Sequence, residues 1–235
     1  AAAAWSWGVF GTCLPMSVAY APERGEKRLV RLDDGSTIFL NTDTRVTVRY
    51  RGDERTAVLD RGEAFFTVLK HPRRPFIVEV ARGRIATAGA DFRLRLFAGA
   101  PPDILVSSGE VRAYAAMSTG ADHVLLRSRN RLVLAGTGAA PAPVTEDDIS
   151  RDLAGREGKI AFRGESLEQA AAAFARYGDP RIAVRGEALR REPVTGLFAA
   201  DDPAGFSQAV AGIFDARVSR EGDVIVLSQG GPEKI

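Results

Sequence analysis

Cysteine is almost missing from this 235-residue chain. Cys13 is the only one, so no intrachain disulfide can form and no thiolate metal cage exists. The two histidines, His71 and His123, lie far apart and give none of the ligand spacing that a zinc site needs. Lysine is also scarce. Only four of the 32 basic side chains are lysine (Lys27, Lys70, Lys159 and Lys234), a skew toward arginine that reads as coding bias. Thirty acidic residues bring the net charge to +2, and no block of like charge forms a nucleic-acid arm. Nucleic acid is therefore not an expected partner. The 45% hydrophobic and 26% charged fractions are those of ordinary globular chains, and the length favours two domains over one.

The usual chemical signatures are absent as well. Gly136-Thr137-Gly138 lacks the third glycine and the following helix of a dinucleotide fingerprint, and Gly158-Lys159 is followed by Ile160 where a phosphate loop needs Ser or Thr. No G-x-S-x-G elbow occurs. Asp33-Asp34-Gly35-Ser36 lacks the spaced oxygen ligands of a calcium loop and reads as a hairpin turn. Glu63 and Glu110 each follow a glycine, but nothing in the sequence pairs them, and both read as solvated or salt-bridged turn residues. His71 before Pro72 reads as a surface turn, and His123 as a structural residue at a strand start. The expectation is a non-enzyme with no cofactor and no metal.

The chain opens with Ala1 to Ala21, an alanine-rich, uncharged stretch close to the length that spans a bilayer. Three readings stand side by side: the outer end of a transmembrane helix, the tail of a signal peptide ending at Ala19-Tyr20-Ala21, or an apolar arm packed on the domain. Pro22 disfavours cleavage, and Ser6, Gly8, Gly11, Thr12 and Pro15 weaken the membrane span.

From Lys27 to Leu134 the pattern is that of short strands. Val46, Val48 and Tyr50 alternate with Arg45, Thr47 and Arg49, and Ile38 and Leu40 share one face. Turn signals recur at Asp34-Gly35, Gly52-Asp53, Arg61-Gly62, His71-Pro72, Arg82-Gly83, Ala98-Gly99 and Ser108-Gly109. This predicts an all-β domain, a multi-stranded sandwich or wrapped sheet, over residues 22–136. Gly136 to Pro143 reads as a linker, and Thr145 to Leu153 as a short helix within a linking segment 137–157. Residues 158–230 then predict a small α+β module of order βαββαββ. Ser166 and Gln169 form a capping box, Leu167, Ala170, Ala171 and Phe174 a buried stripe, and Gly178 a stop. Asp202 caps a second helix with Pro203 at its first position, and Phe206, Val210 and Ile213 form its stripe.

Several runs follow one another in the order of a known family. They are Gly25-Glu26, Val30 to Ser36, Leu40-Asn41, Arg55 to Leu59, Gly62 to Val68, Arg74 to Val78, Gly89 to Phe92 and Ser108 to Val111. Together they resemble a FecR-type domain. Gly158 to Phe162, Leu167, Arg176-Tyr177, Val194 to Phe198 and the closing strand pair resemble the module that follows it, which is similar to the short N-terminal domain of secretins and TonB-dependent receptors (STN).

The resemblance implies a single-pass inner-membrane sensor whose cytoplasmic segment, absent from this chain, binds an extracytoplasmic-function sigma factor. Its periplasmic part would contact the signalling domain of a TonB-dependent outer-membrane transporter, in cell-surface signalling of the iron-siderophore type. On this reading residues 1–21 are a transmembrane-helix remnant and the rest is periplasmic. The expected contact is the sheet edge formed by Arg181, Ile182, Ala183 and Val184 and by Val194, Thr195, Gly196, Leu197 and Phe198, with Val184 and Leu197 turned to the core. Some relatives cut themselves within a Gly-Thr step at the position of Gly89-Ala90. Here Ala90 offers no hydroxyl, and Thr87 follows Ala86, so cleavage there is not expected. A tryptophan common before the module is absent, and Gly155 stands at its place. The alternative from another class is an STN-containing envelope assembly component of the secretin type.

Overall fold

The computed structural model describes residues 16–51, 54–81, 83–115, 122–136 and 138–230. Period-two alternation builds its first part, as the residues require. The strands are β1 (Met16–Tyr20), β2 (Arg28–Arg31), β3 (Thr37–Leu40), β4 (Arg45–Arg51), β5 (Glu54–Val68), β6 (Phe76–Val80), β7 (Gly83–Thr87), β8 (Ala90–Leu96), β9 (Asp103–Ala115), β10 (Val124–Arg127), β11 (Asn130–Val133) and β12 (Ala142–Pro143). Ile38, Leu40, Val46 and Val48 point inward and are nearly inaccessible, while Arg45 and Arg49 face solvent.

Two strands are much longer than the spacing of turn signals suggested. Arg61-Gly62 is not a turn but a bend inside β5, and Ser108-Gly109 lies within β9. Gly62 has φ +98°, and a Cβ there would stand 2.5 Å from the Thr44 Cα, so only glycine lets the strand bend against that turn. The first half of β5 pairs with β4 and β6, and its second half with β3 and β8. The ends of β9 likewise pair with β7 and with β8. Among the described residues the pairings β5–β6–β7–β9–β8–β5 therefore close on themselves, a wrapped sheet around one core. Phe66, stacked on Phe92 at 4.9 Å, lies in that core with Ile38, Leu40, Leu59, Val78, Ile85, Leu94 and Val106.

The expectation for residues 1–21 is corrected where it can be checked. Residues 1–15 lie outside the described ones, as does the Gly52-Asp53 turn signal. Met16–Tyr20 is not membrane helix but strand β1, in register with β4 from Met16↔Tyr50 to Tyr20↔Val46. No helix among the described residues is long and apolar enough to cross a membrane.

After the connecting helix α1 (Glu146–Asp152) and a 3-10 turn (Leu153–Glu157), the chain builds a second core. Its elements are β13 (Lys159–Ser166), α2 (Leu167–Phe174), β14 (Arg181–Arg185), α3 (Glu187–Arg191), β15 (Pro193–Ala199), α4 (Pro203–Phe214), β16 (Ala216–Glu221) and β17 (Val224–Gln229). Ser166 and Gln169 form the capping box of α2, and Asp202 caps α4. Phe162, Phe174, Phe198 and Phe206 pack at centroid distances of 4.5–6.1 Å. Three details depart from expectation. Helix α3 separates β14 from β15, α2 ends at Phe174, and the strands form two sheets, β13-β15 and β14-β17-β16. Ile213 is 69% exposed and lies outside the stripe of α4, because the buried arc of that helix centres on Phe206, Ser207, Val210 and Ala211.

One ion pair pins the wrapped sheet. Arg55 is 1% exposed, and its guanidinium meets Asp34 at 2.6 Å and also donates to the Arg74 carbonyl. The Asp34-Gly35-Ser36 turn expected from the sequence thus also holds a buried cation. Replacing Arg55→Met leaves Asp34 without its partner and is expected to cost about 3 kcal/mol, read as a lower urea midpoint at unchanged slope.

Candidate functional site

The sites indicated by the sequence fall on sheet edges. Arg181, Ile182, Ala183 and Val184 lie on β14, which among the described residues pairs only with β17. Val194, Thr195, Gly196, Leu197 and Phe198 lie on β15, which among the described residues pairs only with β13. The two strands share no sheet, which corrects the picture of one continuous edge. Val184 faces the core as expected, with Ile182 and Val194. Leu197 does not: it is 51% exposed, while its neighbour Phe198 packs on Phe206. Gly89-Ala90 enters β8 from β7. Thr87 Oγ1 donates to the Glu110 carbonyl at 2.7 Å and accepts from the Gly89 amide at 3.0 Å. Thr87 and Ala90 are both buried.

Between the two cores lies a polar cluster that the sequence did not announce. Register creates it. β5, β8 and β9 place Glu63 opposite Arg95, and Arg95 opposite Asp103. Opposite charges directly across a ladder attract. Arg95 Nε donates to Glu63 Oε2 at 2.5 Å. Arg93, fully buried two residues earlier on β8, donates to Asp103 at 2.8 Å, and Arg131 from β11 clamps Asp103 with two bonds of 2.9 Å. Glu63 is thus a buried residue, whereas Glu110 is exposed beside Arg112 and Arg127.

The cluster reaches into the C-terminal part. Asn41, at the end of β3, donates to Glu63 Oε1 at 2.8 Å and to the Tyr177 hydroxyl at 2.9 Å. Thr42 donates to the Arg176 carbonyl at 2.8 Å and accepts from the Gly25 amide at 2.7 Å. The Arg176 guanidinium stacks on the Phe97 ring at 3.7 Å. The 3-10 turn closes on the same cluster. A Cβ on Gly155 would stand 3.1 Å from Glu63 Oε1, 3.2 Å from Asn41 Nδ2 and 3.7 Å from Phe65. The position of the missing tryptophan is therefore a close approach over buried polar groups, where even a methyl group would be tight.

Electrostatics follow from this geometry. Burial alone would raise the Glu63 and Asp103 carboxyls, but the surrounding guanidiniums hold both below their ordinary values, led by Arg95 at Glu63 and Arg93 at Asp103. Burial pushes the Arg176 guanidinium down, and burial with the Glu63 charge pushes the Tyr177 phenol up. Beside the cluster is a cavity of about 190 Å³ lined from both parts of the chain. No group of three or more His, Cys, Asp or Glu able to hold a metal ion occurs among the described residues.

A β-rich wrapped sheet joined through a buried charge cluster to a smaller helix-and-strand core defines the class. Residues 19–112 match the FecR family model, described as FecR protein. A FecR domain therefore occupies residues 19–112 of the chain. Two crystal structures from Parabacteroides distasonis ATCC 8503, each described as a "putative anti-sigma factor", share the fold. One is 18% identical with a TM-score of 0.75, covering 92% of this chain and 100% of its own. The other is 19% identical with a TM-score of 0.74, covering 91% and 100%. No curated protein matches the chain.

Two outcomes test the joint. Both folded-state carboxyl pKa values are lowered, so their stabilisation is complete above the unfolded values and is lost as pH falls through the folded ones. Thermal midpoints should be flat from about pH 7 to 5 and fall below about pH 4. Glu63→Gln should lower the midpoint at neutral pH and flatten the acid limb. Gly155→Ala crowds Glu63 and Asn41 and is expected to cost about 1 kcal/mol, a drop of about 2–4 °C in Tm for a chain of this size.

Proposed function

We propose that this chain is the signal-receiving part of a FecR-type regulator of a sigma factor. The observation that carries the reading is the FecR match over residues 19–112, set in a fold shared along nearly the whole chain with structures described as anti-sigma factors. In the full-length protein the receiver lies in the periplasm, anchored in the inner membrane, with the extracytoplasmic-function sigma factor bound by a cytoplasmic segment. It consists of a FecR-like unit over residues 22–136, a link over 137–157 and an STN-like unit over 158–230. The separate hydrophobic cores of the two parts support that division. The receiver is not an enzyme, and its partner is the signalling domain of a TonB-dependent outer-membrane transporter, in iron-siderophore signalling.

Edge pairing is the proposed mode of contact. Of the two candidate edges, β15 is the better supported. Its sequence PVTGLFA carries no charge, and Leu197 stands exposed on it, whereas β14 is flanked by Arg181 and Arg185. Charged side chains are a usual means of blocking strand addition. Arg185 is moreover engaged, bridging to Glu221 with two bonds of 2.9 and 2.8 Å across β17.

Calorimetry of the chain against the signalling domain of the transporter encoded beside it tests the reading. Micromolar or tighter binding is expected, about −8 kcal/mol. Leu197→Lys should weaken it at least tenfold without lowering Tm. Equal weakening by Ala183→Lys would move the contact to β14. Absence of binding between two folded proteins would favour an envelope assembly component.

A further inference from the structure

The cavity between the two parts has a lining of unusual charge. Arg95, Arg131, Arg151, Lys159, Arg163 and Arg176 contribute six cations, against the carboxylates of Glu63 and Glu165 alone. Both carboxylates are already satisfied. Glu63 accepts from Arg95 and Asn41, and Glu165 accepts from the Arg163 amide. The carboxylates that pair with the other cations are Asp103 for Arg131, Asp147 for Arg151, Glu157 for Lys159 and Asp148 for Arg163. None of these four lines the cavity.

Arg176 stands apart from the rest. No carboxylate lies within ion-pair distance of it among the described residues, and its Nη2 is buried without a hydrogen-bond acceptor. A buried guanidinium nitrogen left so costs the free energy of its desolvation, and an oxyanion is the chemistry that repays it with a charge-assisted bond. The Tyr177 hydroxyl, which accepts from Asn41, retains its own proton to donate from the same wall. The volume is that of about six waters, enough for one or two phosphoryl groups.

We infer that this cavity is a binding site for a compact oxyanion of the phosphate class, held by Arg176 with Lys159 and Arg163 and seated across both parts of the chain. The inference is independent of the transporter reading. Bound there, the anion contacts β13, the segment after α2 and the outer face of β8 at once, and it stiffens the joint.

Titration of the 235-residue chain with inorganic phosphate and with pyrophosphate, at low ionic strength, tests it. Saturable 1:1 binding with a rise in Tm is expected, tighter for pyrophosphate. Arg176→Gln should weaken it at least tenfold. That variant also removes the stack on Phe97, so Lys159→Gln serves as the second probe: a side chain 45% exposed, paired with Glu157, and expected to weaken binding several-fold at unchanged Tm. Sedimentation with phosphatidylglycerol vesicles distinguishes a lipid headgroup from a free anion as the source. A folded chain that shows no saturable binding of pyrophosphate at 10 mM (about 100-fold above a 0.1 mM site, enough to raise stability by about 2.7 kcal/mol) overturns the inference. So does binding that both variants leave intact.

Discussion

Glu63, Arg95 and Asp103 stand side by side on three neighbouring strands, and the union of the two parts depends on that ladder. Taking carboxylates and guanidiniums out of water is costly, and the cost is offset to the extent that the remaining lone pairs and protons find partners. Glu63 finds Asn41, Asp103 finds Arg93 and Arg131, and Asn41 passes the network on to Tyr177. Such a cluster contributes less net stability than an apolar patch of the same size, but it tolerates one arrangement only. A shifted register would leave buried charges unpaired. The ladder thus sets how the C-terminal part sits on the wrapped sheet.

This explains why the fold was more legible than the site. Alternation in β3 and β4, the turn at Asp34-Gly35-Ser36 and the caps at Thr145, Ser166 and Asp202 are local signals, and each is where the sequence placed it. The long bent strands were missed because Gly62 and Gly109 read as turns, whereas each bends a strand that continues from one layer into the other. Ile213 was misplaced because period alone does not tell the centre of a buried arc from its margin.

The charge cluster was hidden for a different reason. In the run from Ala90 to Leu96, Arg93 and Arg95 alternate with Leu94 and Leu96. That pattern reads as a strand with one wet face. The structure covers that face instead, and only the pairing of β8 with β5 and β9, which a single sequence does not encode locally, brings Glu63 and Asp103 beside it. Glu63, following a glycine, reads as a solvated or salt-bridged turn residue; it is salt-bridged, but within strand β5 and buried. Gly155 was noticed only as a missing tryptophan, and its meaning came from the atoms above which it sits.

The joint and the proposed receiver edges are mechanically close. Tyr177, which holds Asn41, lies four residues before Arg181, the first residue of β14. Gly158 follows the turn that covers Glu63, precedes β13, and accepts from the Ala200 amide just past β15. Both edge strands are therefore rooted at the joint rather than at the far end of the module. A strand added to β15 loads β13 and, through it, the turn over Glu63. A buried polar cluster yields to such a load less gradually than an apolar core, because its groups are either paired or not. The same charges that fix one arrangement of the two parts would then make any departure from it abrupt, which is the property a receiver needs if a contact at its edge is to be felt at the wrapped sheet.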